Sequence, residues 1–203
     1  MSDAGAIIDA IKQGAGTLTK YFVNFSEEFV VIGSTIVTIF APAIGILISA
    51  WAVLDFLKLK KGQGGSSPTS IIVRFIVGPI TIQIAAFVHA VSESVFGERD
   101  FESAEGMLQS YVSTAKSGGD DMVRQGLAAL MAFFVIVGWI SALRAMVAFA
   151  RIGSPSENGY ELFRTGASRL VAATFLCMFQ FFIDDVIASV GGGEGTFSSM
   201  LAL

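Results

Sequence analysis

Charged residues are missing from four long stretches of the chain, and those stretches predict its architecture. The first uncharged block runs from Phe29 to Leu54 and stops at Asp55, Lys58, Lys60 and Lys61. At the helical rise per residue it reaches roughly 39 Å, enough to cross a hydrocarbon core of about 30 Å with tilt. Pro42 lies inside it and predicts a kink, which membrane helices tolerate where neighbours satisfy the freed carbonyl. A Gly/Ser turn, Gly62-Gln63-Gly64-Gly65-Ser66-Ser67-Pro68, then leads to a second block, Phe75 to Val91, containing Gly78-Pro79 and His89. The third block starts at Gln125, stays uncharged to Leu143, continues past Arg144 to Ala150, and stops at Arg151-Ile152-Gly153-Ser154-Pro155. The fourth, Leu170 to Ile183, is the shortest. It spans only if Arg169 snorkels at one end and Asp184-Asp185 sit at the opposite interface.

Between the second and third blocks the pattern changes from uniformly apolar to amphipathic. Ala104, Met107, Leu108, Tyr111, Val112 and Ala115 recur at helical spacing within an acidic segment and predict an amphipathic surface helix. Near the start, Ile7, Ile8, Ile11, Leu18, Phe22 and Phe25 also fall near one helical face, predicting a helix that lies on the membrane. The division expected is an amphipathic N-terminal segment (1–28), a first transmembrane hairpin (29–91), an acidic loop with an amphipathic helix (92–124), a second hairpin (125–189) and a Gly-rich tail (190–203). The fold class is an all-α membrane protein with four transmembrane helices, arranged as two tandem helix–basic loop–helix hairpins plus amphipathic surface helices.

Composition supports the membrane reading: 53% of residues are hydrophobic, only 15% are charged, and Phe occurs 18 times. An average soluble chain carries about 25% charged residues. Basic residues set orientation, acidic ones barely do. They cluster in Asp55–Arg74 and Arg144–Arg169, whereas the tail after Ile183 has none. Both short basic loops are therefore expected inside, with both termini and the acidic segment in the periplasm of a Gram-negative host. The start, Met1-Ser2-Asp3-Ala4-Gly5, has no basic region ahead of an apolar core, so no cleaved signal peptide is expected. The halves carry similar punctuation, Trp51 then Lys61-Gly62 and Trp139 then Arg151 and Gly153, with Arg74 and Arg164 about 90 residues apart. That is the pattern of a parallel duplication.

The second half carries a further signal. Gly138-Trp139-Ile140-Ser141-Ala142-Leu143-Arg144-Ala145-Met146-Val147 is followed by Gly153, by Gly159-Tyr160-Glu161-Leu162-Phe163-Arg164-Thr165-Gly166, and by a hydrophobic helix with Cys177 and Gln180-Phe181. Together with the helix and loop layout, this resembles the small polytopic inner-membrane proteins of type IVB secretion systems. These form the Dot/Icm and IncI-type conjugation group, and the chain is most similar to its IcmC/DotE-like members. The resemblance covers roughly the last 80 residues well and the first hairpin in outline. It implies a structural subunit of a cell-envelope machine that exports DNA or protein, with membrane lipid, other secretion subunits and further copies as partners. By weaker analogy, the first hairpin is similar in style to the pilins of conjugation systems. A pilin-like filament subunit and a small stand-alone channel or transporter are therefore the alternatives.

Candidate chemistry is sparse. His89 is the single histidine, so no His-based metal cluster forms, and helix packing is its expected role over pH sensing. Asp184 and Asp185 read as acids at a helix end, or as a cation path if that helix is buried. Gly191-Gly192-Gly193-Glu194-Gly195-Thr196 lacks the Lys-Ser/Thr ending of a phosphate loop and reads as a loose tail. Cys177 has no accompanying base and reads as a packing residue. Arg144 reads as a snorkelling residue, with Asp55 the acid best placed to pair with it. Ala41, Gly45 and Ser49 form a small-xxx-small row which, with Gly78, suits close packing within the chain or between copies. Lys58, Lys60, Lys61, Arg74, Arg151, Arg164 and Arg169 are the basic-loop residues expected to meet lipid or a partner. No catalytic residue and no cofactor or metal site is expected. There is also no basic stripe for direct nucleic-acid binding.

Overall fold

A computed structural model describes residues 14, 17, 20–21, 24–25, 28, 30–63, 66–96, 104–117, 122–154, 157–191, 197 and 199. Among these every regular element is a helix: α1 (Val30–Lys60), α2 (Pro68–Ile82), α3 (Ile84–Phe96), α4 (Ala104–Ser117), α5 (Met122–Ala150), α6 (Gly159–Cys177) and α7 (Phe179–Ser189). Helices α1 and α5 are each long and apolar enough to cross a membrane. The pairs α2–α3 and α6–α7 add two more spans if each is taken as one broken helix. This is the architecture of a multi-pass membrane protein. Of the N-terminal apolar face, Ile7, Ile8, Ile11, Leu18 and Phe22 lie outside the described residues, while Phe25 is exposed.

Helix α5 is the central post. It packs most closely on α6 and also meets α4, α2 and α3. Alanines make this crowding possible: Ala128, Ala129, Ala132, Ala142, Ala145, Ala148 and Ala150 are all buried along it. Burial covers 56% of its most apolar window, against 28% for α1. The uncovered side of α1 carries Ile39, Phe40, Ile46, Leu47, Trp51, Leu54 and Phe56 outward, as a lipid-facing surface requires.

Pro42, expected to kink α1, follows a local change in the helix's hydrogen bonding. Its missing N–H leaves the preceding turn one donor short. Ile36–Phe40 widens into a π-helical turn, in which the Ala41 N–H reaches back to the Ile36 carbonyl. The chain then continues as regular α-helix from Ala41 to Lys60.

The second and fourth blocks also depart from the expected uninterrupted helices. The second breaks at Gln83 with a bend of 93°, and the fourth at Met178 with a bend of 76°. Before each break a threonine hydroxyl donates to the carbonyl four residues back, Thr81 to Val77 at 2.7 Å and Thr174 to Leu170 at 3.0 Å. Each hydroxyl thus adds a second donor to a carbonyl in the last turns before the break. In the second block Pro79 has also removed one ladder bond. The fourth helix starts earlier than its uncharged run. Asn158 caps it by accepting from the Tyr160 N–H, so the helical segment begins at Gly159, well before Leu170.

Helix α4 forms where the amphipathic pattern places it. Its apolar positions Met107, Leu108, Tyr111, Val112 and Ala115 are buried, and its main neighbour is α5. The expected surface helix thus covers protein with its apolar face. Burial raises the Tyr111 phenol well above its ordinary value, and nearby Cys177 and Asp184 add to the shift.

The small-residue row is spent within the chain. A Cβ placed on Gly45 would lie 2.7 Å from the Gly78 carbonyl oxygen and 2.6 Å from Ile82 Cγ1, so α1 and α2 touch backbone to backbone there. Ala41 is fully buried, and Ser49 lies against Gly78 while its hydroxyl donates to the Gly45 carbonyl at 3.0 Å. Gly45→Val should therefore separate the two helices and cost roughly 1–3 kcal/mol, the usual range for overpacking. Thermal unfolding in detergent measures this. Ala43→Val, on an exposed position of α1, is the control and should leave the midpoint unchanged.

Candidate functional site

The sequence marks the two basic loops as the places to look, and the structure brings them together. Helix α1 ends at Lys60. Gly62, at φ 71°, then reverses the chain and lets the Gln63 N–H return to the Lys58 carbonyl at 3.1 Å. Ser67 caps α2 by accepting from the Ser70 N–H at 3.2 Å. The same hydroxyl donates to the Gly153 carbonyl of the other loop at 2.8 Å. Gly153 has φ 82°, and a Cβ there would sit 2.8 Å from the Ser70 nitrogen. Both the backbone conformation and the contact require glycine at this crossing.

Arg74 is the hub. Its guanidinium forms an ion pair with Asp55 of α1, while its Nε donates to the Ala150 carbonyl at 3.0 Å. An Nη2 contact to Ser154 Oγ lies at 3.4 Å. Asp55 also accepts from the Ser66 hydroxyl at 2.9 Å, with Lys58 Nζ at 4.0 Å. The physical logic is plain. Ala150 closes α5, and the last carbonyls of a helix lack intrahelical donors and carry its negative dipole end. A guanidinium satisfies both needs with its several donors. One side chain on α2 thereby ties α1, α5 and the second loop into a single node. The Asp55 and Arg74 side chains are 15% and 17% exposed, so the pair is largely shielded from water.

The remaining basic residues divide into two sets. Arg151 is held by Glu157 within its own loop. Lys58, Lys60, Lys61, Arg144, Arg164 and Arg169 are exposed. Asp55, expected as the acid nearest Arg144, is committed to Arg74, and Arg144, Arg164 and Arg169 form no ion pair among the described residues. Sequence spacing named Arg74 as a basic-loop residue for lipid or a partner. In the structure it is largely shielded and triply engaged, and it joins the two halves. Ser66, Ser67 and Ser154 were the missed partners, and the turn-forming serines flanking Pro68 and Pro155 were the only signal for them.

Other candidates resolve into packing. His89 Nδ1 lies 3.5 Å from Glu93 Oε1, one helical turn away. Cys177 is fully buried, and its Sγ donates to the Val135 carbonyl at 3.8 Å. Asp184, expected at an interface, is buried and accepts from the Phe197 N–H at 2.7 Å. Of the stretch read as a loose tail, residues 192–196 lie outside the described residues, and the chain meets α7 again at Phe197. Among the described residues no three of His, Cys, Asp and Glu gather as metal ligands would.

The punctuation shared by the two halves reappears as geometry. Gly62 and Gly153 both take positive φ after their helices, and Ser67 and Asn158 both cap the next helix. Compared with known proteins, the chain matches no family model, no curated sequence and no solved structure.

Arg74→Ala should leave Asp55 uncompensated and lower stability by roughly 3 kcal/mol, the low end for breaking a buried pair. Adding Asp55→Asn should restore part of that loss. Arg144→Ala should change stability by less than about 0.5 kcal/mol. A double-mutant cycle followed by thermal unfolding in detergent measures the coupling.

Proposed function

We propose that this chain is a non-enzymatic structural subunit of a bacterial inner-membrane apparatus of the type IV, IVB-like, secretion or conjugation class. In this reading its four spans form two tandem hairpins, with both basic loops cytoplasmic. Both termini and the acidic segment 92–124 face the periplasm. Neighbouring secretion subunits and further copies pack on its exposed apolar faces, and partner ATPases supply the energy for transfer.

The observation that carries the reading is where the resemblance-bearing glycines sit. A Cβ on Gly138 would meet Cys177 Sγ at 2.6 Å and the Ala173 carbonyl at 3.0 Å. One on Gly166 would meet the Phe149 ring at 2.6 Å, and one on Gly153 would meet α2. Each of these motif residues supports a helix seam, which suits a rigid building block. A stand-alone channel finds one observation in its favour, the buried Asp184 beside a buried Gln180. That carboxylate is engaged by the Phe197 N–H, which favours a structural role for it.

Deleting the gene should abolish transfer of DNA or protein substrate from the host cell, and a complementing copy should restore it. Unchanged transfer in the deletion strain would count against the reading. Alkaline phosphatase fused after Leu203 should be active, because that enzyme matures only in the periplasm. An inactive phosphatase fusion, with a cytoplasmic reporter active at the same point, would reverse the proposed orientation.

A further inference from the structure

Beside the node, an elongated groove runs along the face shared by α1, α5 and α6. It consists of two adjoining cavities of about 450 and 370 Å³ that share Ile44, Val147 and Arg151. Its walls are mainly apolar, formed by side chains such as Ile140 and Leu162, with Thr165, Arg144 and Arg169 in the larger cavity and Arg74 of the node at the smaller one. Arg144 and Arg169 come from different helices. The Ser141 hydroxyl donates to the Arg169 carbonyl at 3.2 Å and fixes the register that points both into one groove.

Both arginines stand within their helices, about two turns from the end of α5 and near the middle of α6. Neither has a carboxylate partner among the described residues, and Arg151 is taken by Glu157. A cation set among apolar walls is costly unless an anion answers it. The groove offers apolar length for an acyl chain and, for a phosphate, two guanidinium groups with no ion pair among the described residues.

We propose that this groove is a binding site for one anionic phospholipid, whose acyl chain lies along Ile44, Ile140, Val147 and Leu162 and whose phosphate is held by Arg144 and Arg169. A zwitterionic lipid fits the walls equally well. Its phosphate, however, brings its own ammonium, so it leaves the guanidinium charges unbalanced. The site therefore selects by net headgroup charge. The inference stands apart from the secretion reading, since it needs only the membrane setting.

The test uses the full chain in a neutral detergent, titrated with phosphatidylglycerol, with phosphatidylcholine of the same acyl chains, or with inorganic phosphate. Bound adducts are counted by native mass spectrometry. Phosphatidylglycerol should be held at least about tenfold more tightly than phosphatidylcholine, as two lipid-facing arginines warrant. Arg144→Gln/Arg169→Gln should erase that preference. Lys58→Gln/Lys60→Gln removes the same charge from the other loop and should keep it. If the double arginine variant loses its helical circular dichroism, the single variants carry the test, each lowering phosphatidylglycerol retention several-fold. Equal retention of the two lipids overturns the proposal, as does an equal loss in the lysine variant. Displacement of phosphatidylglycerol by millimolar inorganic phosphate would make the ligand a free anion and also overturn it.

Discussion

Arg74, a guanidinium largely shielded from water at one end of an apolar helix bundle, has its charge met from three directions. The Asp55 carboxylate lies on α1, the Ala150 carbonyl closes α5, and Ser154 belongs to the second loop. In lipid there is little hydrophobic drive between helices, since their apolar faces are already in an apolar solvent. Association then depends on close packing and on polar contacts with no better alternative. The node supplies the polar contacts at one end of the molecule. Small residues supply close approach along the seams, Gly45 against Gly78 and Gly138 against Cys177. The first kind of contact sets how the helix pairs are aligned, and the second sets how near they come.

The helical class and the location of the apolar helices were legible because lipid exposure imposes a coarse rule on composition. A run without charge as long as Phe29 to Leu54 is what a hydrocarbon core demands and what a water-facing helix avoids. The buried face of α4 was legible for the opposite reason. Met107, Leu108, Tyr111 and Val112 stand at helical spacing among polar neighbours, so the period itself names the face. What that face would meet was not written locally, and α5 took the place expected for the membrane surface.

The breaks and the node were hidden by their physical nature. The break at Met178 falls inside an uncharged run with no proline or glycine to mark it, so the local sequence carries no sign of it. Arg74 stands in the chain like any other loop cation, and only the arrival of the Ala150 carbonyl from a distant helix distinguishes it from Arg164. Charge counting treats the two alike. Desolvation separates them, and desolvation is a property of the assembled fold.

The two bends carry a consequence for the reach of each helix. Before its break α2 rises only about 22 Å, and α6 about 28 Å, both short of a hydrocarbon core of about 30 Å. Neither segment reaches across such a core by itself, so each bent pair spans only by counting the segment beyond its bend. Helix α1, at about 46 Å, needs no such continuation. The bends thus give the molecule two kinds of wall, one of single long helices and one of jointed pairs.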